Sequence, residues 1–379
     1  MRCDVLIVGA GPVGLLLGSM LAQRGIDVRL IEKRTDSTER SRAIGVHPPG
    51  LACLDEVGLA QPLVSEGVRV QRGRAVLAGQ SLGVIDFSQL PLPFDFVLSV
   101  PQCTTERLLT ARLTELLPEA LTRDAEALGF AIDRSGVDVR LRVGRREHTL
   151  RARYVVGCDG RGSSVRRAMK VAYRGHTYRD HFAMADALDD TQLGSEAVVF
   201  VDALGLIESF PLPAGKRRWV VSFGKHSPEL GAEPFAEVVR ARTGHVLDTH
   251  GMREVTAFFA ERYCAQSFVR ERLILAGDAA HVVSPIGGQG MNLGWLDARE
   301  LARTLSGCLR DDTRCDSALA EYAQARRRVS VRAARRAELY MTLGFAAPLW
   351  VRAWSLKALT RAPFVGHATR LFTMQGLEA

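Results

Sequence analysis

Four short apolar runs stand out along this chain, each closed by a glycine, an acid or both. Val5–Val8, Tyr154–Val156 and Leu273–Ala276 are continuous rather than alternating, and Val28–Ile31 is broken only by Arg29, which is the pattern of strands buried on both faces of a parallel sheet. Between the first two, Leu15, Leu16, Gly18, Ser19, Leu21 and Ala22 recur at helical spacing until Gly25, so a strand–helix–strand unit is predicted over 4–32. Elsewhere the period is two. "VDVRLRV" (137–143), a Gly-Arg-Arg turn and "HTLRARYVV" read as a hairpin feeding the third run, and residues 196–223 read as three strands separated by Gly-containing turns. Residues near 73–98 are expected to join that sheet as a roof over the substrate. Residues 295–340 read as helical, with Arg326, Arg327, Arg328, Arg335 and Arg336 on a solvated face. The tail continues a helical pattern broken at Pro348 and Pro363.

The residues that close the apolar runs carry the chemistry. Gly9, Gly11 and Gly14 form GxGxxG, enclosing Pro12 and Val13. The first glycine makes the tight turn, the second lets a pyrophosphate approach the backbone, and the third lets the helix sit close on the sheet. Glu32 ends the second strand, where a carboxylate would accept hydrogen bonds from an adenosine ribose and repel a 2′-phosphate. The resident nucleotide is therefore expected to be FAD or NAD rather than NADP. With strand, helix, second strand and acid all in place, the motif is specific. Asp159 follows the third run and Asp278 the fourth, at the carboxyl edge where open α/β sheets bind ligands. In "GDAAHVVSPIGGQGMNLG" (277–294), Gly287, Gly288 and Gly290 allow a backbone to come very close to a partner.

Composition narrows the function classes. At 379 residues, 47% hydrophobic and 24% charged, the chain is that of an ordinary globular protein with one large or two modest domains. The net charge of +8 rests on 50 basic residues, of which five are lysines (33, 170, 216, 225, 357). The arginines are dispersed and no recognition motif gathers them, which argues against nucleic-acid binding. Seven scattered cysteines without a CxxC pair or a His partner point to reduced thiols, a cytoplasmic location and no metal site. The glycine-rich N-terminus lacks a signal-peptide cleavage site, and no stretch has the uninterrupted apolar length of a membrane span.

GxGxxG with Glu32, "CDGRGSSVR" (158–166) and "GDAAHVVSPIGGQGMNLGWLDA" (277–298) resemble the three signatures of the FAD-dependent aromatic hydroxylases, the single-component flavoprotein monooxygenases of the p-hydroxybenzoate hydroxylase type. "SRAIGVHPPGLACLDEVGL" (41–59) and "VPQCTTERLL" (100–109) also resemble segments of that family, and the likeness runs over roughly residues 1 to 340. It implies an α/β fold: a discontinuous Rossmann-like FAD-binding domain (three-layer ββα) interrupted by a mostly antiparallel β-sheet substrate domain, with C-terminal helices. The implied FAD-binding segments are 1–72, 99–175 and 265–340; 73–98 and 176–264 form the substrate domain, and 341–379 a helical tail. For the adenosine and pyrophosphate half the resemblance implies Gly9, Gly11, Pro12, Val13, Gly14, Glu32 and Lys33. For the ribityl and isoalloxazine half it implies Arg42, Gln102, Gly277, Gly288, Gly290, Met291 and Asn292, with Asp278 on the ribityl or phosphate portion and Asp159 serving the FAD and nicotinamide region. Arg42 would also lie on the nicotinamide path. The loop from Pro285 to Gly290 would lie along the ring, and the helix beginning near Met291 would aim its free amides at the pyrimidine end, which becomes anionic on reduction.

The chemistry implied by the resemblance is reduction of FAD by NADH or NADPH, addition of O₂ as a flavin C4a-hydroperoxide, and transfer of one hydroxyl to an electron-rich aromatic small molecule. A water-excluding site is required, and the protein mainly positions the cofactor. A base acting on a phenol would help; His47, Tyr178 and His281 are the candidates, and the sequence selects none of them. A halogenase is disfavoured because no WxWxIP segment occurs. An epoxidase, an isoprenoid reductase on the same fold and a flavin-binding module without turnover remain as alternatives. The aromatic content of 7% and the apolar tail favour a bulky lipophilic phenol, polyketide or quinone-like ring over a small benzoate. The tail is expected to pack on the FAD domain, with a lip over the active site or weak contact with a membrane surface as the alternative. A monomer or homodimer is expected.

Overall fold

The computed structural model describes residues 2–36, 43–252, 254–342, 347–361 and 363–377. The chain opens with β1 (Arg2–Val8), α1 (Pro12–Ala22) and β2 (Val28–Ile31), followed by β3 (Gly45–Val46), α2 (Pro48–Asp55), α3 (Ala60–Ser65) and β4 (Val68–Val70). Next come the hairpin β5 (Arg72–Leu77) and β6 (Gln80–Asp86), then β7 (Val97–Ser99), α4 (Gln102–Leu116) and β8 (Leu121–Thr122). A meander of β9 (Ala125–Asp133), β10 (Gly136–Val143) and β11 (Arg146–Gly157) leads to α5 (Ser164–Met169). Then follow β12 (Tyr173–Leu188), β13 (Ala197–Asp202), β14 (Gly205–Leu212), β15 (Lys216–Gly224), α6 (Ala232–Thr243) and β16 (Thr256–Ala265). The chain closes through β17 (Val269–Arg270), β18 (Leu273–Leu275), β19 (His281–Val282), α7 (Gly290–Arg310), α8 (Cys315–Met341), α9 (Leu349–Leu359) and α10 (Val365–Phe372).

The first sheet runs β17-β18-β11-β1-β2-β8, with the β9–β10 hairpin attached to β11. Its central strands are parallel, and their carboxyl ends are flush: Val8 pairs with Gly157 and Ile31, and Gly157 with Leu275. The continuous apolar runs are explained by their surroundings. Val5, Leu6, Ile7, Leu30, Val155, Val156, Ile274 and Leu275 are fully buried in one cluster with Leu15, Leu16 and Met20 of α1 and Leu293 and Leu301 of α7. Burying such strands stabilises by roughly 25 cal/mol per Å² of apolar surface, so a single inward charge here would disrupt the sheet.

The second large sheet runs β19-β16-β12-β15-β14-β13-β5-β6 and is antiparallel except between β13 and β5. One face is covered by α6, whose Phe235 and Val239 pack on Ala183, Phe200, Ile207, Trp219 and Val221. The other face meets the segment after β19 and the C-terminal helices, through Phe182, Ala260, Ile286, Tyr340, Met341 and Phe372. A small antiparallel sheet, β3-β7-β4, holds Val97–Ser99 apart from the roof sheet that residues 73–98 were expected to supply in full.

Three expectations change. The helical stretch 295–340 is two helices, broken between Arg310 and Cys315. That break brings the Cα atoms of Cys308 and Cys315 to 4.7 Å and pairs them as a disulfide, so not all thiols are free. Arg326 is not solvated; it is 2% exposed, while Arg327, Arg328 and Arg335 are exposed. In the tail, α10 packs inward through Ala368 and Phe372, whereas Trp350 and Trp354 on α9 are exposed. No described helix is long and apolar enough to cross a membrane.

Candidate active site

The flush ends of β1, β11 and β18 bring three sequence-distant turns together. The first is the glycine turn. Gly9 has φ +103°, and a Cβ there would lie 2.5 Å from the Cys158 carbonyl oxygen; a Cβ on Gly14 would lie 2.0 Å from the Gly9 oxygen. Those two glycines are required by the chain's packing on itself. Gly11 is different: its Cβ would meet nothing within 4 Å. Gly11 begins α1 without any side-chain cap, and Pro12 occupies the first turn. An open cradle at an uncapped helix start is what a pyrophosphate requires. Pro12 is fixed by Trp295, whose indole N–H donates to its carbonyl at 3.1 Å. Val13 fills the space left by Gly277 and Gly294.

Glu32 is buried beside this turn. Its Oε2 accepts from the Ala10 amide at 2.9 Å, and its Oε1 accepts from the Arg34 amide at 3.1 Å and from Arg34 Nε at 2.9 Å. Burial pushes the carboxyl up, but the Arg34 and Ala10 bonds outweigh it and hold Glu32 below the usual carboxylate value. Lys33 is exposed. Arg42 lies outside the described residues. Gln102, at the start of α4, accepts from the Ala43 amide at 3.2 Å and donates to Glu106 at 2.8 Å.

The second turn carries Asp159. Its Oδ2 accepts from the Ser164 amide at 2.6 Å and hydroxyl at 2.8 Å, which holds the start of α5 beside the Ser163 cap. Its Oδ1 is buried with no protein donor. The third turn, Gly277–Ala279, leaves the Asp278 side chain exposed, while its carbonyl accepts from the Tyr173 hydroxyl at 3.0 Å. An orphaned acceptor, an open glycine and an uncapped helix on adjoining strand ends fit the phosphate and sugar groups of FAD.

Beyond Asp278 the chain forms the glycine loop. Gly287 and Gly288 have φ of +84° and +64°, backbone conformations that favour glycine. His47 Nε2–H donates to the Gly287 carbonyl at 3.0 Å. Asn292, fully buried, donates to the carbonyls of Gly45 at 2.9 Å and Gly288 at 3.0 Å, and accepts from the His47 amide at 2.9 Å. All three bonds are to the chain, so Asn292 positions the loop. Gln289, which sequence reasoning missed, is fully buried with Oε1 unpartnered. The start of α7 has no side-chain cap, as a site for developing negative charge requires. Gly290 has only Val283 near a virtual Cβ, Met291 is half-buried, and Pro285 is exposed at the loop's start.

Beneath the third turn lies a buried ionic triad, of which only His281 was foreseen. His281 Nε2–H donates to Asp297 Oδ2 at 2.6 Å, Arg326 Nε donates to Asp297 Oδ1 at 2.7 Å, and the Gly277 amide donates to Oδ2 at 3.0 Å. Burial pushes the Asp297 carboxyl up, and His281 and Arg326 more than reverse it. The triad fixes the turn that carries Asp278.

The candidate bases are therefore engaged with the protein itself. His47 is pushed down to about 4 by burial, which its bond to Gly287 only partly offsets. The Tyr178 hydroxyl donates to Glu338 at 2.9 Å and is pushed up to about 12, by burial first and then by Glu338. His281 is held by Asp297. For His47 the linkage has a definite sign. The folded chain stays neutral while the unfolded chain takes a proton, so its contribution is complete above about pH 6.5 and is lost as pH falls toward 4. Urea titrations across that window should show up to about 3 kcal/mol of destabilisation that a His47→Gln variant lacks. Parallel curves for the two proteins would contradict this.

A family model described as an FAD binding domain matches residues 2–337. This chain belongs to that FAD-binding family. Curated relatives within reach are a rifampicin monooxygenase of Streptomyces venezuelae, 34% identical over 80% of this chain and 64% of the relative, and a 12-dehydrotetracycline 5-monooxygenase/anhydrotetracycline 6-monooxygenase of Streptomyces rimosus, 32% identical over 82% and 63%. The chain thus spans less than two thirds of the length of these relatives. The crystal structure of p-nitrophenol 4-monooxygenase from Pseudomonas putida superposes with a TM-score of 0.89 over 100% of this chain and 99% of that one, at 22% identity, a likeness of fold. As a member of the FAD-binding family, the chain should lose flavin when exposed Asp278 is replaced. Asp278→Ala is expected to purify largely colourless; full flavin content would place Asp278 away from the cofactor.

Proposed function

We propose that this chain is an FAD-dependent monooxygenase that uses NADH or NADPH and O₂ to hydroxylate an aromatic ring. The single observation that carries the reading is the gathering of the open Gly11 cradle, the unpartnered Asp159 Oδ1 and the glycine-rich, Asn292-clamped 287–290 loop around the starts of α1 and α7. In this reading Gly9–Gly14 receive the pyrophosphate and Glu32 the adenosine ribose. Asp159 and Asp278 serve the middle of the cofactor, with Gln102 beside them, and the loop and the α7 start meet the ring. When bound, FAD supplies electron transfer from the nicotinamide and activation of oxygen. The chain's own work is to bind, orient and exclude water. Segments 1–72, 99–175 and 265–340 form the cofactor unit in this proposal, and 73–98 with 176–264 the substrate unit.

The relatives carry the names of rifampicin and tetracycline-type substrates, which supports a polycyclic or quinone-like phenol. The decisive experiment is direct. Under nitrogen, NADH or NADPH should bleach the yellow protein; in air, an aromatic substrate should accelerate consumption and appear one oxygen atom heavier by mass. A yellow protein that neither bleaches nor turns over favours a flavin-binding module instead.

A further inference from the structure

Strand β14 contains one residue at odds with its position. Glu208 pairs across the sheet with Val220 of β15 and Val199 of β13, and Val220 pairs with Met184 of β12. Cross-strand partners share a face. The adjacent row, Ala183, Val221, Ile207 and Phe200, is covered by α6, so Glu208 points to the opposite side. That side meets the glycine loop: Phe182, two residues before Met184, clusters with Ile286, Tyr340 and Phe372. Ala197, two residues before Val199, clusters with Leu359, Ala368 and Phe372. Glu208 thus lies on an apolar face between the flavin loop and the C-terminal helices.

No donor among the described residues reaches its carboxylate, and burial alone pushes it up to about 7. Its oxygens are nonetheless not among the sealed, unpartnered atoms of the interior, and the residue keeps part of its surface accessible. Glu208 is thus neither sealed in the interior nor free on the outer surface, and a molecule lying between this sheet face and the glycine loop would reach it. Arg218, two residues before Val220 on β15, is engaged by both oxygens of Asp186 at 2.6 and 2.8 Å. An acid so placed is unfavourable to the empty fold, and a ligand that brings a donor removes the penalty.

Building on the proposed aromatic hydroxylation, we propose that Glu208 accepts the hydrogen bond of a phenolic O–H, and so selects hydroxylated rings over their ethers. A site that expects a hydroxyl rejects the analogue lacking it, because its own polar group is left unpaired. Electron density drawn toward the ring by this bond also suits attack on an electrophilic oxygen.

The test uses the FAD-loaded protein and two probes of near-equal shape, 1-naphthol and 1-methoxynaphthalene, titrated against the flavin absorbance spectrum. Wild type is expected to bind the naphthol at least about tenfold more tightly. Glu208→Leu should bind both alike with undiminished flavin content, and Glu208→Gln, the closest in shape, should show a reduced preference. Equal or absent binding of the two probes by wild type, or a preference that survives in Glu208→Leu, overturns the assignment. An intact preference without any oxygenated product would remove the monooxygenase reading and leave Glu208 as a hydroxyl receptor.

Discussion

Asp297→Ala should lower the unfolding free energy by about 3–5 kcal/mol, because it strands a guanidinium and an imidazole in the interior. The carboxylate is fully buried and holds Arg326, His281 and the Gly277 amide at once. Since domains are stable by only about 5–15 kcal/mol, the variant should sit near the edge of folding. Urea denaturation of the apoprotein measures the loss directly. A combined Asp297→Leu, Arg326→Met, His281→Phe variant, with no stranded charge, should recover much of it. A single-variant loss below about 1 kcal/mol, the range of surface ion pairs, would show that the triad is far weaker than its burial implies.

The second large effect separates folding from cofactor binding. Gly11→Val should fold normally, since nothing lies within 4 Å of the added Cβ and φ is −77°. FAD affinity should nevertheless drop by about 100-fold or more, equivalent to about 2.7 kcal/mol, because the branched side chain occupies the cradle. Gly14→Val, by contrast, drives a side chain into the Gly9 carbonyl and should not yield folded protein. Isothermal titration of the two variants with FAD, alongside circular dichroism, reads both outcomes. A Gly11→Val protein that retains wild-type affinity would move the pyrophosphate elsewhere.

The parts legible in the sequence were those set by local chemistry. Continuous apolar runs gave the parallel strands, and glycines at turn positions gave the crevice. What escaped depended on three-dimensional placement. Arg326 sits within a run of three arginines, yet it shares the buried stripe of α8 with Tyr322, Val329, Ser330 and Ala333, a 3.6-residue periodicity that was open to inspection. The disulfide was hidden because "RDDTRC" has no glycine or proline to announce the helix break. In one continuous helix, residues seven apart would be about 10 Å distant. Gln289 and Asn292 lie on either side of Gly290, and only the fold distinguishes the orphaned amide from the clamp. Glu208 offered a signal as well: an acid in an otherwise inward-facing apolar row, a violation of the strand's alternation.

The flush carboxyl ends of β1, β2, β11 and β18 also constrain how such a chain can drift over time. Adding one residue to any of these strands would advance its closing turn by about 3.3 Å and reverse the face of every side chain beyond it. Gly9, Glu32, Asp159 or Asp278 would then no longer meet the others. Length variation should therefore collect in connections such as 189–196 and 225–231, where no such alignment is at stake, and spare the stretches just ahead of the four turns.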